Sequence, residues 1–276
     1  MPHYPIRIID AFTDTLFGGN QAAVMILPHW LPETLMQAVA AENNLAETAF
    51  VVAEGEAWHY RIRWFSPLTE IDFCGHATLA AAWALFDDHP QAETLYFHAE
   101  AVGELAVTRH ADGLQMRFPP RLAEAVDSVP EALGKGLSIA PREVLRSPQA
   151  YFVVYPHAAD VLNVRADDHI LKQLAPYDVV VTAAAEPDSG HDFVSRYFWP
   201  ANGGSEDAVT GSIHAGLAPF WAHRLGKTEL TAYQASARGG RLHCRVTDDA
   251  VYITGRCVVY LEGRIDLPAS SPPLGA

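Results

Sequence analysis

Cysteine is scarce in this 276-residue chain. The three present, Cys74, Cys244 and Cys257, are far apart and form no C-x-x-C pair, which excludes a disulfide framework and a zinc ribbon as organising elements. Basic residues are also few. Nineteen Lys and Arg stand against 33 Asp and Glu, for a formal net charge of −14, and the basic ones are scattered; a nucleic-acid or anionic-membrane surface needs the opposite. No apolar run approaches the roughly 18 residues of a membrane-spanning helix. The opening MPHYPIRIIDAF lacks the basic, apolar and small-residue succession of a secretion signal, so a cytoplasmic protein is expected. The clusters Asp167-Asp168-His169 and Gly190-His191-Asp192 lack the i, i+4 histidine spacing of a helical metal site, and no metal is expected.

Hydrophobic residues, by contrast, make up 49% of the chain, enough for one large domain or two small ones. The order of motifs is said twice. RWFSP at 63–67 returns as RYFWP at 196–200, 133 positions on, and each copy precedes an acid-containing loop and a glycine-led apolar stretch. These stretches are CGHATLAAAWALF from Cys74 and TGSIHAGLAPFW from Thr210. Further on, GELAVTRHADGLQMRF from Gly103 aligns with GRLHCRVTDDAVYITG from Gly240. Two long repeats imply paired halves, not a solenoid. The halves are placed at residues 1–120 and 121–276, with a terminal strand free to cross back to the first.

Each half reads as several short strands, β-branched or aromatic with partial alternation, and one central helix. LPETLMQAVAAENN, from Leu31, is amphipathic and suits the outer face of a sheet. The two glycine-led helices have hardly any polar face and belong in a core. The fold expected is therefore α+β, with two pseudo-symmetric lobes, each a curled sheet around its helix; a single α/β domain with a covered parallel sheet is the alternative. The first central helix should stop before Pro90 and the second near Gly226, with Pro219 a candidate kink.

A helix that starts inside a protein leaves backbone N–H groups needing acceptors. If the two helix starts converge between the lobes, they make a cradle for a carboxylate that net charge alone would repel. Gly75 and Gly211 allow close approach and Ser212 offers a hydroxyl; otherwise these are cap glycines and a solvated serine. His76, in the first turn, is expected to be neutral, with a lowered pKa; taken singly it reads equally as a buried structural histidine. Cys74 reads either as an activated thiol or as a small hydrophobe. Glu47, between an amphipathic helix and an apolar strand, would if partly desolvated suit general-base work; otherwise it is a loop or strand-edge carboxylate in water. Asp207 precedes the second helix, with Glu206 as its competitor.

Five ordered blocks together resemble the PhzF-like family, the phenazine-biosynthesis isomerase group of the diaminopimelate epimerase-like fold. They are DAFTDTLFGGNQAAV (10–24), NNLAETAFV (43–51), RWFSPLTEIDFCGHATLAAAW (63–83), SRYFWPANGGSEDAVTGSIHAGLAPFW (195–221) and YQASARGGRL (233–242). The resemblance implies a cofactor-free active site and homodimerisation. It places the family's catalytic glutamate on Glu47 and its supporting His, Asp and Ser on His76, Asp207 and Ser212. Gly75 and Gly211 match positions whose amides bind substrate, and Asn20 matches the Gly-Asn block. Gln21 and Ile213 depart from the usual pattern and bear on pocket shape. Diaminopimelate epimerases and proline racemases carry cysteine in both glycine-led motifs, whereas the pair here is Cys74 and Thr210. The activity implied is proton movement by Glu47 on a small carboxylate-bearing metabolite; the alternatives are a catalytically silent ligand-binding protein and a thiol racemase using Cys74. Substrate identity cannot be read from the chain.

Overall fold

The computed structural model describes residues 2–268. They divide into two compact units: the chain up to Arg117 together with the chain from Thr254, and Phe118–Ile253. The first stretch of chain forms β1 (His3–Ala11), β2 (Asn20–Leu27), α1 (Glu33–Asn43), β3 (Glu47–Ala53), β4 (His59–Phe65), β5 (Glu70–Ile71), α2 (Gly75–Asp88), β6 (Thr94–Ala99), β7 (Gly103–His110) and β8 (Gly113–Phe118). Next come β9 (Glu124–Ala125), α3 (Glu131–Gly136), β10 (Glu143–Arg146), β11 (Ala150–Val154), α4 (Ala158–Asn163), α5 (Asp168–Leu171), β12 (Asp178–Ala184) and β13 (Phe193–Phe198). The chain continues through β14 (Glu206–Asp207), α6 (His214–Leu225), β15 (Glu229–Gln234), β16 (Gly240–Val246), β17 (Val251–Gly255) and β18 (Cys257–Asp266). The protein is mixed α+β. Among the described residues no helix is long and apolar enough to cross a membrane.

Strand pairing repeats between the units. In the first, β2 runs parallel to β3, β3 antiparallel to β4, and β4 pairs antiparallel with β5 and parallel with β6, which turns back onto β7. In the second, β11, β12, β13, β14, β15 and β16 follow the same succession of parallel and antiparallel pairs. The parallel pairs make both sheets mixed. In the first unit β1 lies between β2 and β18, antiparallel to both. Strand β18 is exposed along most of its length, which weakens its hydrophobic pattern in the sequence.

Helix α1 packs Leu35, Met36, Val39 and Ala40 against Ala23, Met25, Phe50 and Phe65. It ends at Asn44, which adopts the left-handed conformation and returns its N–H to the Ala40 carbonyl. The cap turns the chain abruptly, so Glu47 becomes the first residue of β3, paired with Ala22. Because side chains alternate across a strand, Phe50 on the α1 side puts Glu47 on the opposite face.

That opposite side meets α2, which packs on β1, β2 and β3. Every residue of α2 from Gly75 to Phe86 except Trp83 is buried, as its lack of a polar face requires. Burial of Leu79, Leu85 and Phe86 contributes roughly 1.5–3 kcal/mol each. The helix stops at Asp88, ahead of Pro90.

Helix α6 begins three residues later than the glycine-led motif suggests. Gly211, Ser212 and Ile213 form a tight turn whose carbonyls accept i+3 bonds from His214, Ala215 and Gly216. Pro219 sits inside the helix and lacks the N–H that would bond the Ala215 carbonyl; the N–H of Arg121 takes that carbonyl at 3.0 Å. Gly216 makes the approach feasible, since a Cβ there would lie 2.5 Å from the Arg121 carbonyl oxygen. The helix ends at Gly226 in the left-handed conformation, φ 64°.

Candidate active site

Four side chains of the first unit, from β2, β3 and the head of α2, meet at the start of α2. The His76 Nε2 lies 3.0 Å from Glu47 Oε2, its Nδ1 lies 3.2 Å from Asn20 Nδ2, and Cys74 Sγ is 3.4 Å from Nδ1 and 3.9 Å from Nε2. All four residues are buried. Glu47 Oε2 has no aligned hydrogen-bond donor despite its contact with the ring, so the contact is close without being a hydrogen bond. Asn20 is delivered by Gly19, whose φ of 64° and distance of 2.1 Å from a would-be Cβ to the Ala11 carbonyl oxygen admit only glycine.

The electrostatics reverse one expectation. A helix N-terminus would lower the pKa of His76, and burial pulls the same way, but the Cys74 sulfur and Glu47 carboxylate outweigh both and hold the imidazole well above its ordinary value. At Cys74 burial acts with the opposite sign and, reinforced by Glu47, pushes the thiol up to about 11. A raised value works against the activated-nucleophile reading of Cys74.

The duplicated arginines give Glu206 and Asp207 different partners. Arg63 grips Glu70 through Nε and Nη2 at 2.6 and 2.5 Å, and Arg196 grips Glu206 in the same two-pronged way at 2.7 and 2.9 Å. Glu206 is thereby committed to its loop. Asp207 accepts the Thr210 hydroxyl, and Gln234 staples the same loop by accepting the Thr210 N–H at 2.9 Å and donating to the Asp207 carbonyl at 3.0 Å. The turn before α6 is anchored by His214 Nδ1, which donates to the Thr210 carbonyl at 2.9 Å, as Thr78 does to Cys74 in the first unit at 2.6 Å.

Ser212 leads to residues the sequence did not single out. Gln149 Nε2 donates to both Ser212 Oγ and Tyr197 Oη at 3.0 Å, and the Tyr197 hydroxyl donates to Asp178 Oδ2 at 2.6 Å. Burial raises the pKa of Asp178 against the lowering effect of its hydrogen bonds from Tyr197 and Asn202, with Asp207 adding to the rise. Asp178 opens β12 as Glu47 opens β3, each on a strand parallel to its predecessor. Superposing the two repeats at their strand starts was the signal that could have found it. Asn20, Glu47, Gly75 and His76 thus belong to the first unit, and Asp207, Gly211 and Ser212 to the second.

Residues 9–263 match the family model described as phenazine biosynthesis-like protein, PhzC-PhzF. An uncharacterized isomerase of Pseudomonas aeruginosa is 46% identical over 259 residues, 94% of this chain and 97% of that protein. The crystal structure of a phenazine biosynthesis PhzF-family protein from Enterococcus faecalis superposes with a TM-score of 0.91 at 41% identity, covering 96% of this chain and all of that one. A hydroxyproline epimerase of Agrobacterium vitis shares the fold at 11% identity, with a TM-score of 0.57 over 96% of this chain and 91% of that one. The chain belongs to the phenazine biosynthesis-like PhzC-PhzF family and is an isomerase of that family.

Proposed function

We propose that this isomerase needs no cofactor and moves a proton on a small carboxylate-bearing metabolite, with Glu47 as the general acid and base. The observation that carries this reading is the buried Glu47 carboxylate, whose Oε2 touches His76 at 3.0 Å yet has no aligned donor. A carboxylate base needs a free lone pair and partial burial, and His76, 3.0 Å away with its pKa raised by its neighbours, is placed to orient the carboxylate or exchange a proton with it. Glu47 removes a proton from an activated carbon and returns one to a conjugated position on the same face. Amides at the start of α2 stabilise the delocalised negative charge, a contribution often worth a few kcal/mol per well-aimed donor. Asp207, Gly211 and Ser212 remain assigned to acid-base support and substrate contact. Each unit is read as a sheet rolled about its central helix, and the protein as a homodimer.

Incubating the protein with a small-metabolite extract in heavy water identifies the substrate as the compound that gains mass. No gain in any compound would return the chain to the class of silent ligand binders.

Two variants test the binding assignments. At Gly75 a Cβ would meet only Phe73 at 3.7 Å and Met116 at 4.0 Å, so Gly75→Ala folds normally. It is expected to weaken substrate binding by about tenfold, because the methyl stands where the ligand approaches the amide. Unchanged affinity by calorimetry removes Gly75 from the site. For Ser212, the polarity of the chain matters: Gln149 Nε2 donates to Tyr197 Oη, which donates on to Asp178, and also to Ser212 Oγ, so Ser212 Oγ accepts from Gln149 and its own O–H can donate elsewhere. Gln149→Leu should raise KM by about tenfold with a smaller change in kcat, the loss of one oriented hydrogen bond. An unaltered KM would show that Ser212 requires no such hold.

A further inference from the structure

The cluster at the head of α2 has a second chemical capacity, separate from proton transfer. Sulfur, imidazole nitrogen and carboxylate oxygen from Cys74, His76 and Glu47 all lie within 4.8 Å of one another and all three residues are buried. A tetrahedral cation bonded to sulfur at about 2.3 Å and to nitrogen and oxygen at about 2.0–2.2 Å holds those ligand atoms roughly 3.3–3.6 Å apart. Here Sγ to Nε2 is 3.9 Å and Oε2 to Nε2 is 3.0 Å, so small side-chain rotations complete the triangle. The unaligned lone pair on Glu47 Oε2 is the third ligand such a cation requires. The Asn20 amide lies 3.2 Å from Nδ1; turned so that its oxygen faces the ring, it would accept the Nδ1–H of a metal-bound histidine.

We propose that Cys74, His76 and Glu47 form a binding site for a thiophilic divalent cation of the zinc class, and that its occupancy inhibits the isomerase. A thiol ligand selects zinc or cadmium over magnesium or calcium, which prefer all-oxygen sets. Binding replaces the S–H bond of Cys74 with a sulfur–metal bond and the N–H bond at His76 Nε2 with a nitrogen–metal bond, and both protons leave to solvent. The bound cation occupies the Glu47 lone pair that would otherwise take the substrate proton. The inhibition rests on the assignment of Glu47 as the base; the binding does not.

The test titrates cadmium into chelator-treated full-length protein and follows the ultraviolet sulfur-to-cadmium charge-transfer absorption. One band saturating at one cation per chain is expected, with zinc competing it away. The band should persist in Cys244→Ala and Cys257→Ala and vanish in Cys74→Ala, and Glu47→Gln should weaken binding by at least about tenfold. No band in the wild type, or an undiminished band in Cys74→Ala, overturns the site. Should Cys74→Ala fail to fold, Glu47→Gln decides, and unchanged cadmium affinity there counts against it. Full proton exchange in the cadmium-saturated enzyme overturns the inhibitory part alone. Retained exchange in Glu47→Gln with cadmium still bound through Cys74 would sink the base assignment and leave the cation site standing.

Discussion

In heavy water, Glu47→Gln should lose deuterium incorporation into the metabolite that the wild-type protein labels, by a factor of about 10²–10⁴, the usual contribution of a positioned acid or base. The substitution keeps size and shape, so β3 and its pairing with β2 stay as they are. It replaces the oxygen facing His76 with an amide that has no useful basicity. A second readout separates lost chemistry from lost structure. The His76 imidazole, held high by Cys74 and Glu47 against burial, should titrate at lower pH in the variant, visible in its ring proton resonances. Wild-type exchange rates in a variant with that shifted titration would show that another group carries the proton.

A large pH effect on stability is expected from His214. Burial depresses its pKa to about 4, against the opposing hydrogen bond to the Thr210 carbonyl. As pH falls below the ordinary imidazole value of about 6.5, the unfolded chain takes up a proton there that the folded chain refuses. The stabilising contribution is complete above about pH 6.5 and declines until about pH 4. Across that interval the loss is on the order of 3 kcal/mol, about a hundredfold in the folding equilibrium. His76 acts in the other direction, because its raised value makes its contribution complete at low pH and lost as pH rises through the folded pKa. His214→Gln keeps an amide donor and removes the proton equilibrium. Urea midpoints at neutral and mildly acidic pH should therefore differ less in the variant than in the wild type. Equal differences would mean that His214 is not held neutral.

What could be read in advance follows physical range. The ends of α2 and α6 are local events set by the chain ahead of Pro90 and by Gly226, and the structure puts them there. The duplicated arginine motif likewise does one job twice, because Arg63 and Arg196 each clasp an acid a few residues on. The chemistry at His76 needed three dimensions. A helix-terminus dipole worth about 1 kcal/mol is a sequence-level guess, and it yields to a carboxylate 3.0 Å away that arrives from a different strand. Gln149 and Asp178 were invisible for the same reason: nothing in their neighbouring residues announces that they connect to Ser212 through Tyr197. The meeting of Cys74, His76 and Glu47 was hidden too, since only two of the three are close in sequence.

The pairing of β18 with β1 has a consequence for biosynthesis. A ribosome releases β1 first and β18 only after all of Phe118–Ile253 has emerged. The unit carrying Glu47 therefore waits with one strand edge uncovered while the contiguous second unit is free to finish, an inversion of the usual N-terminal-first order. During translation that open edge is the part of the nascent chain most in need of chaperone cover.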